Sequence, residues 1–310
     1  MTSPPCNALS IAAVERETGL SKDTLRVWER RYRFPRPGRD AYGERSYPPD
    51  QVEKLRLIRV LMDQGHRPGK IVGEDLDVLR RMAARGDNSV AAVPALPSRS
   101  GLEHYIALCK AHRQEELRHA LSQALLRQGM YSFVVEVIAP LNAVIGAQWA
   151  GGAMAVFEEH LYTECVQAVL RSAVASMPAR PAVSRQGARP RILLTTVPQE
   201  QHGLGLLMAE AIFALEGARC ISLGTQTPIS DIVRASAAHA ADVVALSFSA
   251  SFRPALLAQA LADLRGGLPK QVEIWAGGHN AALHRKAPQA VRVMELQDIG
   301  AAVTDWRQRH

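Results

Sequence analysis

The C-terminal part of the chain alternates between short apolar runs and longer stretches of helical period. Strand-like runs cover Ile192 to Val197, Cys220 to Leu223, Val243 to Phe248, Val272 to Ala276 and Val291 to Met294. Between and after them, helical runs cover Gly205 to Leu215, Ile229 to Ala238, Pro254 to Leu264 and Ile299 to Arg307. Near-continuous apolar strands alternating with helices predict a five-stranded parallel sheet with helices on both faces, a Rossmann-like α/β domain over residues 191–310. The last strand is interrupted by a charge, Arg292, which predicts an edge position. The segments 224–228, 249–251 and 277–280 all follow strands, so they converge on one rim.

Residues 102–177 carry helical periodicity throughout. Helices are predicted over His104 to Ala111, Arg113 to Gln128, Ser132 to Trp149 and Val156 to Met177. Val134, Ile138, Leu141 and Ile145 form one buried stripe, and a four-helix bundle is the economical packing. Residues 1–85 read as shorter units. Ser10 caps a helix from Ile11 to Thr18, Thr18-Gly19-Leu20 turns the chain, and Ser21 caps a second helix from Lys22 to about Tyr32, with Leu25 and Trp28 inward. Phe34-Pro35-Arg36-Pro37-Gly38 stops it, and Asp40 to Tyr47 suits a small hairpin. A longer helix, Gln51 to Gln64, ends at Gly65, and a fourth is predicted from about Pro68 to Met82. Two short helices around a Gly-containing turn, followed by a hairpin, predict a winged helix-turn-helix. Segments 86–101 and 178–190, rich in Pro, Ser and Ala or in polar and basic residues, read as linkers.

Composition adds partners to this outline. At 310 residues the chain suits two or three domains, and 47% hydrophobic content can build cores. A formal charge of +7 with a pI near 9.5 suits a polyanionic partner. Between Lys22 and Arg45 stand eight Lys/Arg against four Asp/Glu. That excess makes the second helix and hairpin the expected face for double-stranded DNA. The four cysteines, Cys6, Cys109, Cys165 and Cys220, are dispersed without a CxxC pair, which argues against a zinc knuckle and for a reduced, cytoplasmic setting. No window reads as the 18 or more charge-free apolar residues of a membrane span, so no membrane partner is expected.

The candidate chemistry lies in Glu200-Gln201-His202-Gly203-Leu204-Gly205, between the first strand of the sheet and its helix. A histidine there projects beyond the strand's carboxyl end, where such sheets bind ligands. A carboxylate two residues earlier can take one ring proton and leave the other nitrogen to ligate. The six residues resemble the Asp/Glu-x-His-x-x-Gly signature of domains that bind cobalamin with its own base displaced. Ser247-Phe248-Ser249 and Gly277-Gly278 stand at the family's two later stations, although Ser-x-Leu or Ser-x-Thr is usual at the first of these. The resemblance implies His202 as the cobalt ligand, with Glu200, Gly205, Ser247, Ser249, Gly277 and Gly278 around the cofactor and its nucleotide tail.

Two further resemblances complete the reading. Leu25 to Tyr32, Phe34-Pro35 and Arg45-Ser46-Tyr47 resemble the MerR family of transcriptional regulators over roughly residues 9–80. This implies DNA contacts by Lys22, Arg26, Arg30, Arg31, Arg45 and Tyr47. The absence of a sustained heptad run after residue 82 shifts the expected dimerisation to the effector region. Trp149, followed after nine residues by Glu159-His160, resembles the helical cap of CarH/LitR-type B12-dependent light-responsive regulators. There the indole packs against an adenosyl group, and the Glu-His pair reaches its ribose or base. Some of these regulators carry a histidine directly after that tryptophan; here the residue is Ala150.

The function these resemblances imply is an adenosylcobalamin-dependent, light-responsive regulator, a repressor in sense. It would act as a homo-oligomer, dimer or tetramer, without catalytic turnover. Methylcobalamin and hydroxocobalamin are the other corrinoids to consider. The competing readings are a B12- or redox-sensing regulator without light response, a corrinoid-carrying methyltransferase component, and a regulator whose α/β domain has lost its ligand.

Overall fold

The computed structural model describes residues 8–40, 43–63, 66–86, 101–177, 189–286 and 290–310. The expected linker positions 87–100 and 178–188, and the helix stop at Gly65, lie outside the described residues. The chain forms two compact units, Met1–Ser98 with Asn142–His160, and Arg99–Leu141 with Leu161–His310. The helical region expected over 102–177 therefore contributes to both.

In the first unit, α1 (Ile11–Thr18) begins where the Ser10 hydroxyl accepts the Ala13 amide. It ends at Gly19, whose φ of 67° is the left-handed turn that glycine accepts at low cost. α2 (Lys22–Tyr32) is capped by the Ser21 hydroxyl on the Thr24 amide. Leu25 and Trp28 are buried in a core with Val14, Leu55 and Ile58. Two strands that lack any readable period complete a small antiparallel sheet. β1 (Leu9–Ser10) and β2 (Gly38–Arg39) pair on either side of β3 (Arg45–Tyr47). The Asp40 carboxylate closes the hairpin by accepting the Glu44 amide at 2.8 Å.

α3 (Pro49–Asp63) follows as expected. The single helix expected from Pro68 to Met82 is instead two, α4 (Pro68–Ile71) and α5 (Leu76–Gly86). The turn over 72–75 separates them, and the Asp75 carbonyl accepts the Leu79 amide to restart the helix.

The helical region runs through α6 (Glu103–Lys110), α7 (Gln114–Ser132), a π-helical turn over Phe133–Ile138, α8 (Ala139–Ala150) and α9 (Val156–Ala175). Gly129, at φ 76°, breaks α7 near its end. The Val134, Ile138, Leu141 and Ile145 stripe is buried as expected. Gln114–Trp149 is long and apolar enough to cross a membrane by length and composition alone, a looser test that admits charged residues. A core helix of a globular domain passes the same test, and Phe133, Val134, Ile138 and Leu141 are fully enclosed by protein.

In the second unit, strands β4 (Arg191–Thr195), β5 (Arg219–Gly224), β6 (Val243–Ser247), β7 (Glu273–Gly277) and β8 (Val291–Val293) form a parallel sheet in the order β5-β4-β6-β7-β8. β8 lies at an edge, with Arg292 paired to Asp305 at 2.6 Å. Successive side chains point to opposite faces. Leu193, Val244 and Ile274 pack with α11 (Ile229–Ala238) and α12 (Pro254–Gly267) in one cluster. On the other face α10 (Leu204–Leu215) sets Phe213 against Trp275, at 5.9 Å between ring centres. α10 also packs against α7 and α14 (Ile299–Arg309), which explains why it is apolar nearly all round. A short helix not expected from sequence, α13 (Ala281–Lys286), follows β7.

Candidate functional site

The chain leaves β4 in one direction towards β5 and returns on its other side as β6. This reversal opens a crevice at the carboxyl ends of β4 and β6, where open α/β sheets bind ligands. The loop after β4 is built to hold one side chain at that crevice. The buried Thr196 hydroxyl donates to the Glu200 carbonyl at 2.6 Å and accepts the Gln226 amide at 2.8 Å. Gln199 takes a positive φ of 71°, and the Glu200 amide bonds back to the Val197 carbonyl.

Glu200 is 1% exposed, yet its carboxylate is fully engaged. Oε1 accepts the His202 amide at 3.0 Å and lies 2.7 Å from His202 Nδ1. Oε2 accepts both the amide and the hydroxyl of Ser249, each at 2.8 Å. Burial pushes this carboxyl up, but the His202 ring and amide and the Ser249 amide together outweigh it and hold it below its ordinary value. The group is ionised at neutral pH, so Nδ1 carries the proton of a neutral imidazole and the Nε2 lone pair is left available. The His202 side chain is 66% exposed, so a buried carboxylate orients an accessible imidazole.

At two of the glycine stations neighbouring protein atoms approach closely. A Cβ on Gly205 would stand 2.7 Å from the Ser247 hydroxyl. Gly278, at φ +114°, brings its Cα so close to the Phe248 carbonyl that a Cβ would lie 2.1 Å away. Both glycines admit neighbouring protein atoms to the rim; they bring Ser247 and the β6 end close before any ligand is considered. Ser249, the unusual residue at its station, anchors Glu200. Thr196 and Asn280 were not expected to matter. Asn280, 2% exposed, donates to the Ser249 and Phe252 carbonyls at 2.9 and 2.7 Å. The only sequence sign was its place just after the paired glycines.

Trp149, Glu159 and His160 belong to the other unit. Trp149 is half-buried, and His160 Nε2 lies 3.7 Å from Glu159 Oε2 with its ring 70% exposed. In the same unit the helix-turn-helix presents Arg30 and Arg31 exposed, with the Arg31 guanidinium over the Tyr32 ring at 5.3 Å. Lys22 pairs with Glu15 and Arg26 with Asp23 on the surface. Arg45 bonds Glu29 at 2.9 Å, which raises the guanidinium's pKa and ties the wing to α2. Tyr47 requires a correction. Its ring is fully buried in the head's core, because β3 is the central strand and Tyr47 points inward, and its hydroxyl has no partner among the described residues. It anchors the wing from inside.

A corrinoid taken with its own base displaced needs an oriented neutral imidazole at a sheet rim, and the Glu200–His202 pair supplies that donor chemistry. Comparison with known proteins identifies the domains. Residues 9–73 match the MerR HTH family regulatory protein description, and residues 102–173 and 190–302 each match a B12 binding domain. The chain is 30% identical over 283 residues to the HTH-type transcriptional repressor CarH of Myxococcus xanthus, covering 90% of this chain and 91% of that protein. It is 28% identical to the repressor CarA of the same organism over 97% of this chain and 96% of that one. Among solved structures, the Methanosarcina barkeri monomethylamine corrinoid protein aligns at a TM-score of 0.48 and 14% identity, over 66% of this chain and 96% of that one. With a DNA-binding head, a cobalamin-binding sheet and a relative matched nearly end to end, the chain belongs to the MerR-type transcriptional regulators that carry B12-binding domains, the family of CarH.

Proposed function

We propose that this regulator is a cytoplasmic repressor that senses light through adenosylcobalamin, with DNA binding controlled by cofactor-dependent oligomerisation. The observation that carries the reading is the Glu200–His202 pair at the β4/β6 crevice of a chain that also bears a helix-turn-helix head. His202 would hold the cobalt through Nε2, and Glu200 and Ser249 would keep the ring in the ligating tautomer. Ser247 and the paired glycines would line the crevice for the nucleotide tail. Trp149, Glu159 and His160 would receive the adenosyl group, the indole excluding water and the Glu-His pair offering hydrogen bonds to its ribose. When bound, adenosylcobalamin supplies a cobalt–carbon bond that light breaks.

Oligomerisation would link several heads, so that engagement of one raises the effective concentration of the next on adjacent sites. Arg26, Arg30, Arg31, Lys22 and Arg45 would meet phosphates or base edges of promoter DNA. Regulation of this kind needs no turnover, and the DNA-binding head sets the protein apart from a corrinoid carrier for methyl transfer.

One observation favours a second reading. Ala150 stands where some light-responsive relatives have a histidine, which suits a corrinoid sensor indifferent to light. Size-exclusion profiles of the adenosylcobalamin complex, in the dark and after green light, decide between them. A change of assembly on illumination supports the light switch. Identical profiles after complete photolysis exclude it and leave the light-independent sensor.

A further inference from the structure

We infer that Asn280 is a positioning residue for the ligating imidazole, acting through Ser249 and Glu200. The purpose assigned to it rests on the cobalamin reading; its geometry does not. Asn280 lies in the loop between β7 and α13 and is 2% exposed. Its Nδ2 donates to the Ser249 carbonyl at 2.9 Å and the Phe252 carbonyl at 2.7 Å, and its Oδ1 accepts the Ala282 amide at 3.0 Å. Both amide protons are therefore spent on the turn after β6. That turn closes on itself through the Phe252 amide and the Ser249 carbonyl at 3.2 Å.

Pinned by its carbonyl, Ser249 aims its amide and hydroxyl at Glu200 Oε2. Oε1 is then held for the His202 amide and Nδ1. The relay His202–Glu200–Ser249–Asn280 thus crosses the loops after β4, β6 and β7, three adjacent strands of the sheet. A second tie joins the first two loops, from Arg253 to the Gln199 side chain at 2.6 Å. A role in starting α13 accounts for the Oδ1 bond to Ala282 only. The two donations go to a different loop, one that α13 does not need. Any ligand group entering beside Gly277-Gly278 would press on the loop that carries Asn280, so the far end of the crevice and the ligating ring share one set of hydrogen bonds.

The test uses the full chain without corrinoid, labelled with 15N on histidine. Ring nitrogen shifts report the His202 tautomer at a pH where the imidazole is neutral, and His202→Ala supplies the assignment. Wild type is expected as the Nδ1–H form. Asn280→Ala should lower the Nδ1–H to Nε2–H ratio about fivefold, the equivalent of roughly one net hydrogen bond. Ser249→Ala should lower it at least as much, and the double variant no further than Ser249→Ala alone. Asn280→Asp keeps an acceptor for the Ala282 amide but donates nothing, and should follow Asn280→Ala; it serves if the alanine variant does not fold. A lowered melting temperature with an unchanged tautomer ratio would overturn the inference, as would additive effects in the double variant. Failure of the protein to take up any corrinoid, with the relay behaving as described, would sink the cobalamin reading and leave Asn280's role standing.

Discussion

Replacing Glu200 by glutamine keeps the size of a buried side chain and removes half of its accepting capacity. The carboxylate takes four donors, at 3.0 and 2.7 Å from His202 and at 2.8 Å twice from Ser249. An amide offers one oxygen, and its nitrogen can only donate. With the nitrogen towards His202 it would confront an N–H and a ring proton at once. With the nitrogen towards Ser249, the hydroxyl can rotate to accept, but the Ser249 amide is left without its acceptor. The second arrangement is the cheaper. It costs about 1–3 kcal/mol for the stranded donor, plus the loss of charge assistance in the bonds that remain, offset by no longer burying a charge. A net loss of about 2 kcal/mol is expected, read by urea-dependent hydrogen exchange of the β4 and β6 amides. Loss of a carboxylate behind a ligating histidine typically weakens metal affinity about 10–100-fold, and titration with cobalamin followed by absorption should show a fall in that range. Stability within about 0.5 kcal/mol of wild type, the range of an ordinary surface substitution, together with undiminished affinity would refute the reasoning about the relay.

Arg30→Ala and Arg31→Ala, both at exposed positions on α2, should weaken promoter binding, each lowering the salt slope of the binding constant by about 1 if it meets a phosphate; fluorescence anisotropy across a salt series measures this, and unchanged slopes and affinities would remove these residues from the interface. Tyr47→Phe deletes a buried hydroxyl without a partner among the described residues, so thermal stability should hold or rise by about 1 kcal/mol with promoter affinity unchanged; a large loss of affinity would return Tyr47 to the DNA surface. Asp242, 8% exposed, is pushed up by burial but pulled further down by the Arg189 guanidinium and the Arg191 amide, ending below its ordinary 3.8. Its folded value lies below its unfolded one, so its contribution is complete above about pH 4 and fades as pH falls through the depressed value. Asp242→Asn should therefore lower the urea midpoint at pH 7 and reduce the acid sensitivity below pH 4, and an equal acid slope in both proteins would contradict this.

How far the sequence could be read follows from the range of the interactions involved. The five strands of the sheet and the long helices announce themselves through local periodicity, and Ser10 and Ser21 act within three residues of themselves. The place of His202 was legible because it depends only on a strand, a turn and a helix in succession. The two-residue strands β1 and β2 have no period to detect; they exist because β3 offers them partners. The division of the Pro68–Met82 stretch hangs on a four-residue turn inside an otherwise helical pattern. Tyr47 looked like a surface residue in a basic segment, and only its inward register on the central strand of a three-stranded sheet buries it. Ser249 and Asn280 were hardest, since their partners lie 49 and 31 residues away and no spacing rule connects them.

The most direct test of the account is the absorption spectrum of adenosylcobalamin bound to wild type and to His202→Ala, recorded in the dark at equal occupancy. With the imidazole beneath cobalt, wild type should bind tightly with the cofactor's own base displaced, and the variant should lose affinity and change spectrum. Equal affinity and superimposable spectra for the two proteins would contradict the claim that His202 is the ligand.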